Sequence, residues 1–140
     1  MVDLHPFLVH FPVALLTVSL ILELRGTYRR FPELNRAGWW TQLLGTISIA
    51  FAVVSGLVAV SESRLASGAQ GVLDLHHQMT FASTAIFTVL LLWRISTKTE
   101  VLPRIRPAYF FLSALGVVLL MVGSWAGGVL VFEHGVGVSK

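Results

Sequence analysis

The sequence predicts an all-α protein, a single domain over residues 1–140 in which a bundle of four helices spans a lipid bilayer. Of the 140 residues, 55% are hydrophobic and 12% are charged, and the mean hydropathy is +0.79. A soluble domain carries about twice this share of charge. Four apolar stretches also come close to the length of about 20 residues that a bilayer requires. They cover residues 6–24, 39–60, 75–95 and 108–132.

Proline and aspartate residues mark the predicted helix boundaries. Pro6 can occupy the first turn of the first helix, where its missing N–H costs nothing. Asp74 is predicted as the N-cap of the third helix, because its carboxylate can accept hydrogen bonds from the amides of the first turn. Pro103 and Pro107 bracket the start of the fourth helix.

Pro12 lies inside the first predicted helix. It cannot donate a hydrogen bond to the carbonyl oxygen of Leu8, so we expect a kink beside His10. The alternative is that Pro12 is one of the prolines that membrane helices commonly tolerate.

The basic residues predict the orientation of the bundle. Eight of them lie between the first and second helices or between the third and fourth, and two lie elsewhere, Arg64 and Lys140. By the positive-inside rule both basic loops face the cytoplasm, and both termini face the other side. Short basic clusters between apolar runs also argue against nucleic-acid binding. The eight are Arg25, Arg29, Arg30, Arg36, Arg94, Lys98, Arg104 and Arg106. Four aromatic residues are predicted near the same interface: Trp39, Trp40, Trp93 and Tyr109.

All five histidines are predicted near the face opposite the basic loops. A helical rise of about 1.5 Å per residue puts His10 about 22 Å and His77 about 26 Å above the cytoplasmic interface. Both depths lie within a hydrocarbon layer of about 30 Å. His5 and His134 are predicted near the outer surface, and His76 can belong to either level. A buried imidazole costs free energy unless it is hydrogen-bonded or bound to a ligand.

Two imidazoles at matched depth suggest a shared ligand, and haem b takes two axial imidazoles. Copper or zinc is the alternative, since imidazole suits both metals. Arg64 and the surface histidines are candidates to contact haem propionates. Small residues on the second and fourth helices leave room for a flat macrocycle, or for close helix packing and a homo-oligomer. They are Gly45, Ser48, Ala52, Ser55, Gly56, Gly116, Gly123, Gly127 and Gly128.

Other chemistry is sparse. Glu23 is predicted to pair with an arginine such as Arg94. Glu133 can orient His134 or ligate a cation, but an exposed acid at a helix end is the favoured interpretation. The sequence contains no nucleophile triad, phosphate loop or zinc-protease helix. No catalytic residue is therefore predicted, and an electron carrier or subunit is favoured over an enzyme.

The segments HPFLVHFPVALL and GGVLVFEHGVGV resemble those of a bacterial family of predicted membrane proteins of unknown function. The resemblance covers essentially the whole chain, although Phe132 replaces a common tyrosine. It implies a bacterial inner-membrane location with periplasmic termini, and redox partners, because the family also occurs joined to cytochrome-type modules. It also implies that Gly135 and Gly137 turn the chain back and bring His134 toward His5.

These observations lead to three hypotheses. The first is a membrane b-type cytochrome or cytochrome-like subunit that transfers electrons near the periplasmic face. His10 with His77 or His76 would ligate its haem, and His5 with His134 or His76 would form a second pair. The second hypothesis is a protein that binds copper or zinc at the same histidines. The third is a structural subunit of a larger respiratory or photosynthetic membrane complex.

Overall fold

A computed structural model describes residues 5–62, 68–98, 101 and 103–136. The described residues form five α-helices and one short 3₁₀ turn, and four spans among them are long and apolar enough to cross a membrane. The first span combines α1 (His5–Leu8) and α2 (His10–Arg29). The others are α3 (Pro32–Glu62), α4 (Gln70–Ser96) and α5 (Arg106–Phe132), which follows the turn Pro103–Ile105. The prediction of four membrane helices is confirmed.

Two of the helices begin earlier than hydropathy predicts. Helix α3 begins at Pro32 rather than near residue 39, and α4 at Gln70 rather than near residue 75. Hydropathy marks only the segment that matches the hydrocarbon layer, whereas the helices continue beyond it. The predicted N-cap role of Asp74 is therefore wrong, because this exposed residue lies inside α4 and accepts a hydrogen bond from the Gln70 side chain at 3.2 Å.

The first span is interrupted at Val9, between α1 and α2. Pro12 is buried three residues further on and has no N–H to donate to the carbonyl of Leu8. The break therefore lies where the missing hydrogen bond predicts it. It gives α1, which carries His5, its own packing against α3.

The helices form an antiparallel bundle in which α2 packs mainly on α3 and α4 mainly on α5. One apolar core draws side chains from all four spans, and large apolar residues such as Phe51, Phe111 and Trp125 are exposed on the outside. This distribution matches a bundle surrounded by lipid. The core comprises Leu16, Ile49, Phe87, Leu90, Tyr109, Phe110, Val117 and Leu120.

Alternating helix directions give the bundle two chemically different ends. We call the end that carries the histidines the histidine end, and the opposite end, where α2 and α4 finish and α3 and α5 begin, the arginine end. The histidine end contains His5, His10, His76, His77 and His134. The described arginines lie at the other end: Arg25, Arg29, Arg30, Arg36, Arg94, Arg104 and Arg106. Arg64 and Lys140 lie outside the described residues.

Candidate functional site

A cavity of about 640 Å³ opens at the histidine end. Four of the five predicted site histidines line it: His5 and His10 from the first span, and His76 and His77 from α4. The rest of the wall is mainly apolar and comes from all four spans. Its volume falls within the range of about 300–1,000 Å³ that is typical of small-molecule and cofactor sites.

A histidine contact across two helices in this cavity joins His5 and His76. Their ring centres are 6.2 Å apart and their ring planes are nearly perpendicular, at 88°. The pair bridges α1 and α4, which come from opposite halves of the sequence. Sequence reasoning gave His5 with His76 only as one option for a second pair, because counting residues gives depth but not rotation about a helix axis.

Hydrogen bonds determine which nitrogen of each ring carries the proton. His76 Nδ1 lies 2.8 Å from the carbonyl oxygen of Gly123, which can only accept, so Nδ1 carries the hydrogen. His5 Nδ1 lies 3.0 Å from Ser55 Oγ, and that hydroxyl already donates to the carbonyl of Ala52 at 2.9 Å. With the Ser55 hydrogen directed at that carbonyl, His5 Nδ1 is the donor to Ser55 Oγ. When such a ring is neutral its Nε2 carries the lone pair, the state that metal-binding histidines adopt when Nδ1 is held by a neighbouring acceptor.

Two glycines make room for these rings. A Cβ atom added to Gly56 would lie 2.8 Å from His5 Cε1, and one added to Gly127 would lie 3.2 Å from His76 Cε1 and Nδ1. An added Cβ at Gly128, next along α5, would meet nothing within 4 Å. Gly56 and Gly127 therefore set the positions of the paired imidazoles.

Other small residues pack helices against one another instead. A Cβ at Gly45 would lie 2.7 Å from the side chain of Leu16, and one at Gly116 would lie 2.8 Å from Phe87. The small residues thus allow close helix packing toward the middle of the bundle and leave space for histidine rings at the histidine end, while room for a macrocycle and a homo-oligomer stay predictions.

His10 and His77 take more peripheral positions than predicted. His10 is exposed, while the half-buried His77 stacks on Phe81 at 5.7 Å and lies 5.8 Å from His76. Both line the same cavity from different helices. Their pairing as ligands stays a prediction.

His134 lies in the turn that follows α5. Gly135 has a positive φ of 63°, and its N–H donates to the carbonyl of Val131 at 3.2 Å, so the chain turns at this glycine. The approach of His134 to His5 stays a prediction. Gly137 lies outside the described residues. His134 is half-buried and is not among the described residues that line the cavity.

The arginine end contains a buried polar cluster with one residue from each long helix: Glu23, Gln42, Arg94 and Tyr109. Arg94 forms the predicted ion pair with Glu23. The Tyr109 hydroxyl lies 2.7 Å from Glu23 Oε2 and 2.8 Å from Gln42 Oε1. Sequence reasoning missed Gln42 and put Tyr109 at the lipid interface, yet Tyr109 is 2% exposed. A signal for Gln42 was present in the sequence, because it is a polar side chain inside an apolar span at about the depth of Glu23.

Among the residues that the structure describes, no group of three or more His, Cys, Asp or Glu side chains is arranged to hold a metal ion. The chain was compared with known proteins, and no match was found among curated proteins or among solved structures. One family, described as "Predicted membrane protein (DUF2231)", matches residues 2–140. The chain therefore belongs to the DUF2231 family of predicted membrane proteins.

Proposed function

We propose that this protein is a small membrane electron carrier, or a subunit of a redox complex, that binds haem b in the cavity at the histidine end. The observation that supports this most strongly is the pair His5 and His76. Their rings face one cavity from two helices, and each ring has Nδ1 held and Nε2 as the lone-pair nitrogen.

The spacing of this pair suits an iron held between two imidazoles. A metal–imidazole bond is about 2 Å long, and the ligating nitrogen lies about 1 Å from the centre of its ring. When the ligating nitrogens of two rings point at one metal, the ring centres are therefore about 6 Å apart. The observed separation is 6.2 Å. We therefore propose that His5 and His76 would hold the haem, with His10 and His77 as the alternative pair in the same cavity.

The cavity wall suits the macrocycle as well as the iron. It is mainly apolar, and it includes small residues of α3 and α5 such as Ala52, Gly56 and Gly127. The haem supplies the one-electron chemistry, while the chain supplies ligands, orientation and a dry environment that tunes the potential. Ser55 and the carbonyl of Gly123 are positioning groups, because they hold the rings rather than contact the iron.

A two-imidazole arrangement favours haem over zinc. Zinc sites use four protein ligands, or three ligands and a water, and no such group was found among the described residues. Copper bound to the same imidazoles is the competing hypothesis. An absorption spectrum together with metal analysis distinguishes copper from haem.

Orientation completes the proposal. The arginine end faces the cytoplasm by the positive-inside rule, so the histidine end and both termini face the periplasm of the inner membrane. The cavity would then hold the haem near the periplasmic surface, within reach of a redox partner or of a larger membrane complex.

An absorption spectrum of the detergent-purified protein, expressed with haem available, tests this function. We expect a Soret band and sharp α and β bands on reduction. We expect the bands to be lost in His5→Ala and in His76→Ala. They should remain in His134→Ala, because His134 is not among the described residues that line the cavity. If His10→Ala and His77→Ala remove the bands instead, haem binding stands and the ligand pair moves.

A folded preparation that is colourless and takes up no added haemin would contradict the proposal. Folding is checked by far-UV circular dichroism. Metal analysis of the same sample, showing copper in place of iron, would favour the competing reading.

A further inference from the structure

A second cavity, of about 350 Å³, lies at the arginine end between α3 and α4. We propose that it binds the phosphate group of an anionic phospholipid. This binding site is independent of the cofactor at the histidine end. Its lining residues are Asn35, Arg36, Trp39 and Trp40 of α3 and Arg94 of α4.

The polar groups of this wall are hydrogen-bond donors. Arg36 and Arg94 carry guanidinium groups, and both tryptophans carry an indole N–H. The side-chain oxygen of Asn35 accepts a hydrogen bond from Thr27 at 3.3 Å, which leaves its NH₂ group as the donor. Among the described residues that line the cavity, none is acidic. A wall of donors with positive charge suits an anion that offers several oxygen acceptors.

Arg94 forms a fixed part of this wall. It is 5% exposed, its Nη1 is bound to Glu23, and its Cζ lies 4.9 Å from the ring centre of Trp39. A guanidinium held on several sides loses little freedom when a ligand binds. Because Glu23 balances its charge, the net positive charge of the cavity comes from Arg36, which is exposed at the rim.

The position in the bundle favours a lipid over free phosphate. The cavity lies at the end of the spans beside the half-exposed Trp40, at the level where indole rings occupy the membrane interface. An exposed apolar stripe runs from Trp40 along α3 toward the histidine end. It continues at helical spacing through Leu44, Ile47 and Phe51. Acyl chains can lie on this stripe while the phosphate occupies the cavity. Basic pockets between helices at this level are known to hold anionic headgroups.

Native mass spectrometry of the detergent-solubilised full chain tests the site with defined lipids. We expect phosphatidylglycerol to bind more tightly than phosphatidylcholine. Arg36→Gln should weaken phosphatidylglycerol binding about tenfold, because one charge-assisted phosphate contact is lost. Arg104→Gln is the matched control, an exposed arginine at the same end that does not line the cavity. It should leave binding within about twofold.

Three results would overturn the proposal. The first is an equal loss of phosphatidylglycerol affinity in Arg36→Gln and Arg104→Gln, which would mean that the overall surface charge of this end attracts the lipid. The second is equal binding of phosphatidylglycerol and phosphatidylcholine. The third is displacement of phosphatidylglycerol by millimolar inorganic phosphate, which indicates a site for free phosphate. Arg94 is left intact because its ion pair also supports the fold.

Discussion

The two ends of the bundle hold the polar side chains of the spans in different ways. At the arginine end Glu23, Arg94 and Tyr109 meet across three helices and bond to one another. At the histidine end the imidazoles of His5 and His76 bond through Nδ1 to their neighbours and line a cavity of about 640 Å³. Polar groups that bond to one another hold helices together, whereas imidazoles that are held through Nδ1 and line a cavity are suited to a ligand.

The comparison predicts that stability resides at the arginine end. The largest loss is expected for Glu23→Gln, which leaves the buried charge of Arg94 without its counter-ion. Such a loss costs about 3–5 kcal/mol of unfolding free energy. Thermal or denaturant unfolding in detergent measures it. Glu33→Gln, an exposed acid at the start of α3, is the control and should cost less than about 1 kcal/mol.

The same measurement on a double-mutant cycle separates the pair from its surroundings. Glu23→Gln with Arg94→Gln should lose clearly less than the sum of the single variants, because neither charge is then left alone. The outcome that would contradict this is a loss of unfolding free energy below about 1 kcal/mol in each single variant, with a double-variant loss equal to their sum. The ion pair would then not stabilise this end of the bundle.

Tyr109→Phe is expected to have the next largest effect. It removes the hydroxyl that lies within hydrogen-bond distance of Glu23 and Gln42, and a buried acceptor left without its donor costs about 1–3 kcal/mol. Tyr28→Phe is a matched control, since Tyr28 is 77% exposed. Equal unfolding midpoints for Tyr109→Phe and Tyr28→Phe would show that the Tyr109 hydroxyl does not stabilise the bundle.

The sequence was sufficient for the fold because bilayer thickness constrains helix length directly. It also predicted the ion pair of Glu23 with Arg94 and the gathering of the histidines at one end. It missed Gln42, and it gave the approach of His5 to His76 only as one option, because depth along a helix can be counted while rotation about its axis cannot. The break at Val9, between His5 and the rest of the span, is also a feature that hydrophobic periodicity does not contain.

At the histidine end, side-chain removal is predicted to change binding far more than stability. His76→Ala in the cofactor-free protein loses one interhelical hydrogen bond, worth about 0.6 kcal/mol in membrane helices. We therefore expect a loss of less than about 1 kcal/mol in the unfolding measurement, together with complete loss of the haem spectrum. A loss as large as that of Glu23→Gln would mean that His76 is a structural residue and would weaken the contrast between the two ends.

The smallest expected effect separates two adjacent glycines of the cavity wall. Ala is favoured over Gly within a helix by about 0.5–1 kcal/mol, so Gly128→Ala, whose Cβ meets nothing within 4 Å, should stabilise the protein by about this amount. Gly127→Ala should gain less, because its Cβ lies 3.2 Å from the His76 ring and displaces it. Haem titration should then show affinity lowered several-fold in Gly127→Ala and unchanged in Gly128→Ala. Since both residues line the same cavity, equal affinities would show that the ring position of His76 does not matter for binding, and the ligand would have to be sought at His10 and His77.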